Sequence, residues 1–165
     1  MVCIHNTFKK FIELQIYRIA QEPFAMDFSA KAAWMYGGRW NSEGQFALYA
    51  SASRALALLE ILAHAPAKML TIKPYILLTL EIADTQPVEQ IPLRMLPENW
   101  NISGWERETT RLGDDFLKKG KDLLLMAPSV IMPEEWNYVL NPLHPDMKRI
   151  KILHRRTITF DKRFF

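Results

Sequence analysis

Phe46-Ala47-Leu48-Tyr49-Ala50 is followed, after a short break, by Ser53-Arg54-Ala55-Leu56-Ala57-Leu58-Leu59-Glu60-Ile61-Leu62-Ala63-His64. The first run is short and apolar, as a buried strand is. The second is rich in Ala and Leu, has Ser53 in position to cap it, and is stopped by Pro66. A strand running into a capped helix is therefore predicted. Ala55, Leu58, Leu59 and Leu62 share one helical face. Leu56, Ala57, Ile61 and Ala63 make the other faces apolar too, so the helix is expected to be buried. Arg54, Glu60 and His64 are its polar residues. Glu60 lies roughly 140° round the helix from Ala55. A buried carboxylate is costly unless it is paired or used. Glu60 reads either as a functional group or as a side chain facing solvent between apolar neighbours.

Outward from this pair, Leu14-Gln15-Ile16-Tyr17-Arg18-Ile19 alternates apolar and polar, as a half-buried strand does. Phe8, Phe11 and Ile12 suggest a short amphipathic lead-in. Ser29 to Tyr36 reads as a helix capped by Ser29 and ended by Gly37-Gly38. Ile76 to Ile82 predicts a strand, and Val88 to Ile91 a second. Pro92, Pro97 and the stretch Asn99 to Gly104 make a long turn-rich connection. Thr109 to Lys119 reads as a helix with Gly120 just past its end. Leu123 to Met126 is a strand running into Pro128-Ser129, and Val139-Leu140 continues a sheet. Pro145 suits the first turn of a short helix after His144. Ile150 to Leu153 and Thr157 to Phe160 read as two closing strands. Many short strands, about three or more helices and no regular βαβ alternation predict an α+β fold. Residues 1–165 are expected to form a single compact domain with mixed or antiparallel short-stranded sheets.

The composition agrees with a globular domain: 165 residues, 49% hydrophobic and 24% charged. Cys3 is the single cysteine, so no internal disulfide forms and a reducing compartment is expected. The first ten residues carry no signal-peptide pattern, and no run approaches the ~18 apolar residues of a membrane span. A cytoplasmic location is the expectation. The net charge of +3 is uneven: from Lys148 to Phe165 there are seven Lys/Arg against one acid. That segment reads as a solvated surface or, in a different class of function, as a nucleic-acid-binding module.

Several chemistries lack their signatures. No G-x-G-x-x-G, G-x-x-x-x-G-K-[ST] or G-x-S-x-G motif is present. His5, His64, His144 and His154 are scattered and, with one cysteine, give no zinc spacing, so no metal is expected. What remains is Arg39 after two glycines and before Trp40-Asn41. Flexible backbone beside an arginine and an aromatic ring suits close approach of a phosphorylated ligand, because the guanidinium fork pairs with phosphate oxygens. A tight turn with a surface ion pair is the other reading. Tyr49 taken alone is a core tyrosine, and Ser129 taken alone a turn residue.

Taken together, these residues resemble a known family. The stretches Tyr17-Arg18-Ile19-Ala20, Gly37 to Asn41 with Gly44, Leu48-Tyr49-Ala50-Ser51, Ala57-Leu58-Leu59-Glu60 and Pro128-Ser129 match in order and spacing. So do Pro133 to Asp146 and Phe160-Asp161-Lys162-Arg163. The resemblance is to the RES domain, named for its Arg, Glu and Ser, and Arg39, Glu60 and Ser129 take those positions. The first sixteen residues look like an N-terminal extension. Lys31 stands where the family more often has a small residue. The resemblance implies an ADP-ribosyltransferase-like fold and a toxin that cleaves NAD+ at the nicotinamide–ribose bond. NAD+ would be a consumed substrate, with no cofactor. Glu60 would stabilise the ribose, Arg39 and Arg18 grip the pyrophosphate, and Tyr49 orient the nicotinamide. Ser129 would position rather than attack, and Asn141 or His144 would shape the pocket or simply build a structural loop. The acceptor stays open between water, inorganic phosphate and a protein side chain, the last making an ADP-ribosyltransferase. The implied partner is an Xre-type helix-turn-helix antitoxin. Direct nucleic-acid binding by this chain is then not expected, and its oligomeric state stays open.

Overall fold

The protein is described from a computed structural model over residues 13–83, 86–102 and 107–165. Among the described residues there are seven strands: β1 (Leu14–Gln21), β2 (Leu48–Ser51), β3 (Tyr75–Ile82), β4 (Val88–Gln90), β5 (Leu124–Pro128), β6 (Trp136–Leu140) and β7 (Lys151–Ile158). They form one sheet in the order β4-β5-β6-β2-β1-β3-β7. Every neighbouring pair is antiparallel except β4 with β5, so the sheet is mixed. Among the described residues there are five α-helices: α1 (Glu22–Ala25), α2 (Lys31–Tyr36), α3 (Arg54–His64), α4 (Ala67–Ile72) and α5 (Arg107–Lys119). The fold is α+β in a single compact domain, as expected, with one sheet.

Side chains alternate between the two faces of a strand, and this alternation sorts the core. Ile16, Leu48, Ala50, Ile76, Leu78, Leu80, Tyr138 and Leu140 share one face and pack with Ala25 of α1 and Ala30. Tyr17 and Leu77 leave the other face and meet Ala57 of α3. Further along that second face, Leu125, Ala127 and Val139 meet Phe116 and Leu117 of α5, together with Trp40 and Trp100. Helices α3 and α5 therefore cover the same face, and the Gly37–Asn41 turn is held between α5 and the sheet. Strand β3 is buried at all eight positions because the sheet continues on both sides of it and both its faces are covered.

Local chemistry explains most boundaries. Ser53 Oγ accepts the Leu56 N–H at 3.0 Å and starts α3. His144 Nδ1 accepts the Asp146 N–H at 3.2 Å ahead of the 3-10 turn Pro145–Arg149. Other expectations need correction. Helix α2 starts at Lys31, because Ala30 sits at φ 57° and cannot be part of a right-handed helix. Pro66 ends α3 but also opens α4, a helix the sequence reading missed. Strand β6 begins at Trp136, earlier than expected. The two closing strands are one: β7 pairs with β3 along its length, and a bulge between Thr79 and Leu80 absorbs the register slip. Helix α3 is less buried than its composition suggests, with only Leu56 and Ala57 fully covered. The lead-in Phe8, Phe11 and Ile12 and most of the N-terminal extension lie outside the described residues.

The basic C-terminal segment lies largely on the exposed strand β7 and is partly neutralised by local pairs. Lys151 Nζ reaches Glu81 at 2.9 Å, Arg155 reaches Glu22 at 3.5 Å, and Arg163 reaches Asp161 at 2.7 Å. Among the described residues no helix is long and apolar enough to cross a membrane.

Candidate functional site

Glu60 projects from α3 toward the end of the β5–β6 hairpin, where Pro128 pairs with Trp136 and Ala127 with Asn137. Its Oε1 accepts a hydrogen bond from Ser129 Oγ at 2.7 Å and another from Asn137 Nδ2 at 2.5 Å. Asn137 Oδ1 in turn accepts from Ser51 Oγ of β2 at 2.7 Å. Glu60 Oε2 lies 3.7 Å from His64 Nδ1, beyond hydrogen-bond range, and the Glu60 side chain is 20% exposed. The carboxylate does not simply face water. It is tied down by one oxygen and open on the other.

The second element is the turn that carries Arg39. Tyr49 rises from β2 on the same face as Ser51, two residues away and so about 7 Å along the strand. Its hydroxyl donates to Asn41 Oδ1 at 2.6 Å and accepts the Trp40 N–H at 3.2 Å. Burial pushes the Tyr49 phenol well above its ordinary pKa, despite the Trp40 N–H favouring the charged form. A side chain at Gly38 would have to displace the Tyr49–Asn41 pair, since its Cβ would stand 2.7 Å from the Tyr49 hydroxyl. Asn41, 1% exposed, turns its amide onto the Ala33, Ser42 and Gln45 carbonyls.

Helix α5 closes the turn from above. At Gly113 it touches the Trp40 carbonyl so closely that a Cβ would overlap the oxygen at 1.8 Å. The next residue, Asp114, accepts the Ser42 N–H at 2.9 Å and the Ser42 hydroxyl. Thr110 Oγ1 donates to the Arg39 carbonyl at 3.3 Å. The Arg39 side chain is half-buried, and its Nη1 donates to the Trp100 carbonyl at 3.0 Å. Anchoring through Nη1 sets the plane of a group that carries five donors.

An oriented arginine and a tethered carboxylate thus stand over one sheet face. Residues 15–161 match the RES domain. The chain belongs to the RES-domain family. The Prs ADP-ribosylating toxin of Sphingobium sp. (strain YBL2) is 37% identical over 141 residues, covering 84% of this chain and 87% of that protein. The toxin Res of Photorhabdus laumondii is 31% identical over 150 residues, covering 90% and 95%. The toxin Res of Pseudomonas putida is 37% identical over 146 residues, covering 84% and 93%. In fold, the chain is similar to a solved chain of the M. tuberculosis MbcT–MbcA toxin–antitoxin complex. The TM-score is 0.75 at 17% identity, over 90% of this chain and 86% of that one.

Within this RES domain the expected site residues separate into two sets. Glu60 and Ser129 are in direct contact, and Arg39 and Tyr49 meet through the Gly38–Asn41 turn. Arg18 stands apart. Strand alternation sends it out of the face opposite Tyr17, where Nη2 donates to the Phe24 carbonyl at 3.5 Å. Its buried Nε has no partner, and desolvation lowers its pKa despite Asp27 nearby. The expectation that Arg18 lies beside Arg39 is corrected on this ground. Asn141 follows the far end of β6 from Asn137, and is 3% exposed. Its amide binds the Leu117 carbonyl at 3.3 Å and the Leu143 N–H at 3.0 Å, as in a structural loop. His144 caps its own turn and reaches the Lys121 carbonyl at 3.2 Å.

Sequence reasoning missed Asn137, Ser51, Gly113 and Asp114. Asn137 and Ser51 stood inside the matched motifs, but nothing local tied them to Glu60. Among the described residues no group of three or more His, Cys, Asp or Glu is placed to hold a metal ion.

Proposed function

We propose that this RES-domain protein is the toxin of a toxin–antitoxin pair and cleaves NAD+ at the nicotinamide–ribose bond. The observation that carries the reading is Glu60, whose carboxylate is held by Ser129 and Asn137 on the sheet face that also holds the Arg39 turn. Nicotinamide bound to ribose is a cationic ring and leaves as a neutral one, so the departing group needs little acid help. The C1′–N bond breaks with its electrons going to nicotinamide, and positive charge develops on the ribose, as in an oxocarbenium-like transition state. A fixed carboxylate stabilises that charge without reorganising at the moment of reaction. Arg39, oriented by its turn, takes the pyrophosphate. The acceptor oxygen then bonds to C1′ and loses its proton. NAD+ is consumed as a substrate.

Tyr49 plays a different part from the one first expected. Its hydroxyl is spent on Asn41 and Trp40, so it holds the Arg39 turn rather than orienting the nicotinamide. Ser129 positions Glu60. Its two lone pairs take the Ile131 and Met132 N–H groups at 3.1 Å each, which leaves it unsuited to act as a nucleophile.

Water as acceptor makes the protein a glycohydrolase, and inorganic phosphate a phosphorylase. The name of the Sphingobium relative favours one further reading, ADP-ribosyl transfer to a protein. All three share the first bond cleavage. The proposed partner is an Xre-type helix-turn-helix antitoxin that blocks the site in the cytoplasm; the toxin–antitoxin complex that the fold resembles supports an antitoxin partner. The test is incubation of partner-free protein with NAD+, with and without phosphate and a cell extract, followed by product identification. Free ADP-ribose marks hydrolysis, ADP-ribose 1″-phosphate marks phosphorolysis, and labelled protein marks transfer. Co-expression with the neighbouring gene's product should restore growth.

A further inference from the structure

Two protons, from Ser129 Oγ and Asn137 Nδ2, meet a single oxygen of Glu60, and a third, from Ser51, backs the Asn137 amide. Ser129 is 0% exposed, and both lone pairs of its hydroxyl are occupied by the Ile131 and Met132 N–H groups. Its own proton is thereby committed to Glu60 Oε1. Asn137 has an amide whose two ends are alike in shape but opposite in polarity. Beside a carboxylate only the NH2 end is tolerated, so Oδ1 must face Ser51. Ser51, 4% exposed, must then donate its proton to Oδ1. The direction of every hydrogen bond follows from the ends of the chain, and donors arranged head to tail polarise one another.

We propose that Ser51 and Asn137 are positioning residues that, with Ser129, saturate Glu60 Oε1 and leave Oε2 as the oxygen that meets the substrate. This rests on the reading of Glu60 as the group that stabilises the ribose. Ser51 acts at a distance: it touches no substrate, but without its proton the Asn137 amide loses its anchor at Oδ1 and is free to swing away from Glu60. The carboxylate would then swing off its aligned rotamer.

The test measures nicotinamide release and the Asn137 side-chain NH2 signals of the full chain by 15N NMR. Ser51→Ala and Asn137→Ala should each lower kcat about tenfold, the scale of one hydrogen bond to a charged group, with KM within about twofold. Ser51→Thr, which keeps the hydroxyl, should restore kcat. Asn137→Asp should be worse than Asn137→Ala, because it sets a second carboxylate against Glu60. The Asn137 NH2 protons should be slow to exchange in the wild type and lose that protection in Ser51→Ala, with the thermal midpoint checked so that unfolding is recognised. Unchanged kcat, an effect confined to KM, or Asn137 signals indifferent to Ser51→Ala would overturn the relay. If the wild-type protein releases no nicotinamide, the proposed function fails. The hydrogen-bond chain is then judged by the NH2 signals of Ser51→Ala and Glu60→Ala, and protection persisting in both refutes it.

Discussion

Gly113 looks like a defect in α5, and the structure makes it a requirement. By helix propensity alone, Gly113→Ala should stabilise the protein by about 1 kcal/mol. The new Cβ, however, would stand 1.8 Å from the Trp40 oxygen and 2.7 Å from its carbonyl carbon. Carbon and oxygen cannot approach that closely, and both atoms belong to backbone, so no side chain can rotate to make room. The helix or the turn must retreat by more than about 1 Å, on the scale of overpacking that costs ~1–3 kcal/mol. The same retreat pulls Asp114 off the Ser42 N–H, a charge-assisted bond worth ~1.5–3 kcal/mol. After the propensity gain, the net loss should be about 1.5–5 kcal/mol, a large part of the ~5–15 kcal/mol of an ordinary domain. Urea unfolding followed by tryptophan fluorescence reads this directly, since Trp40 and Trp100 pack at 6.3 Å in the same cluster. A control at exposed Asp115, Asp115→Ala, should move stability by less than about 0.5 kcal/mol. Because the turn carries Arg39, the surviving Gly113→Ala protein should also show a raised KM for NAD+. A Gly113→Ala protein as stable as the wild type, or more stable, would refute the account of how α5 holds the turn.

Other substitutions test other links. Glu60→Gln keeps the shape but removes the charge, and kcat should fall about a hundredfold, the scale of one preorganised electrostatic contact; full activity would remove Glu60 from the mechanism. Arg39→Lys keeps the charge but loses the fork, so KM should rise about tenfold, equal to ~1.4 kcal/mol, while kcat changes less; an unchanged KM would place the pyrophosphate elsewhere. Tyr49 holds its proton more tightly when folded, because burial disfavours the phenolate. Its contribution to stability is complete below the ordinary value of 10.0 and is lost as pH rises above it, when the unfolded chain ionises first. Tyr49→Phe should be less stable at neutral pH but should lose less stability between neutral and strongly alkaline solution; an equally steep alkaline loss would contradict this.

Some of this architecture was readable residue by residue. Ser53 and Pro66 bracket α3 because capping and proline act locally. Pro66 also opens α4, and a residue suited to both roles does not announce the second. Glu60 was visible as a charge out of place on an apolar helix. Its partners were not, because Ser129 and Asn137 lie 69 and 77 residues further on and meet it only when the sheet brings β5 and β6 beneath α3. Gly113 needed the Trp40 carbonyl to explain it. Arg18 shows the opposite case: the alternation of its own strand already placed it across the sheet from Tyr17, and the family motif alone drew it toward Arg39. The family resemblance drew Tyr49 toward the nicotinamide, whereas its buried hydroxyl needed partners and found them in the turn.

In the proposed function the tethered carboxylate of Glu60 drives cleavage of the nicotinamide–ribose bond. The most direct measurement is nicotinamide released from NAD+ by purified, antitoxin-free protein, run beside Glu60→Gln with matched thermal midpoints. Continuous release by the wild type is expected, with or without phosphate or a protein acceptor, and a rate about a hundredfold lower for Glu60→Gln. Folded wild-type protein that leaves NAD+ intact under every one of those conditions would contradict it.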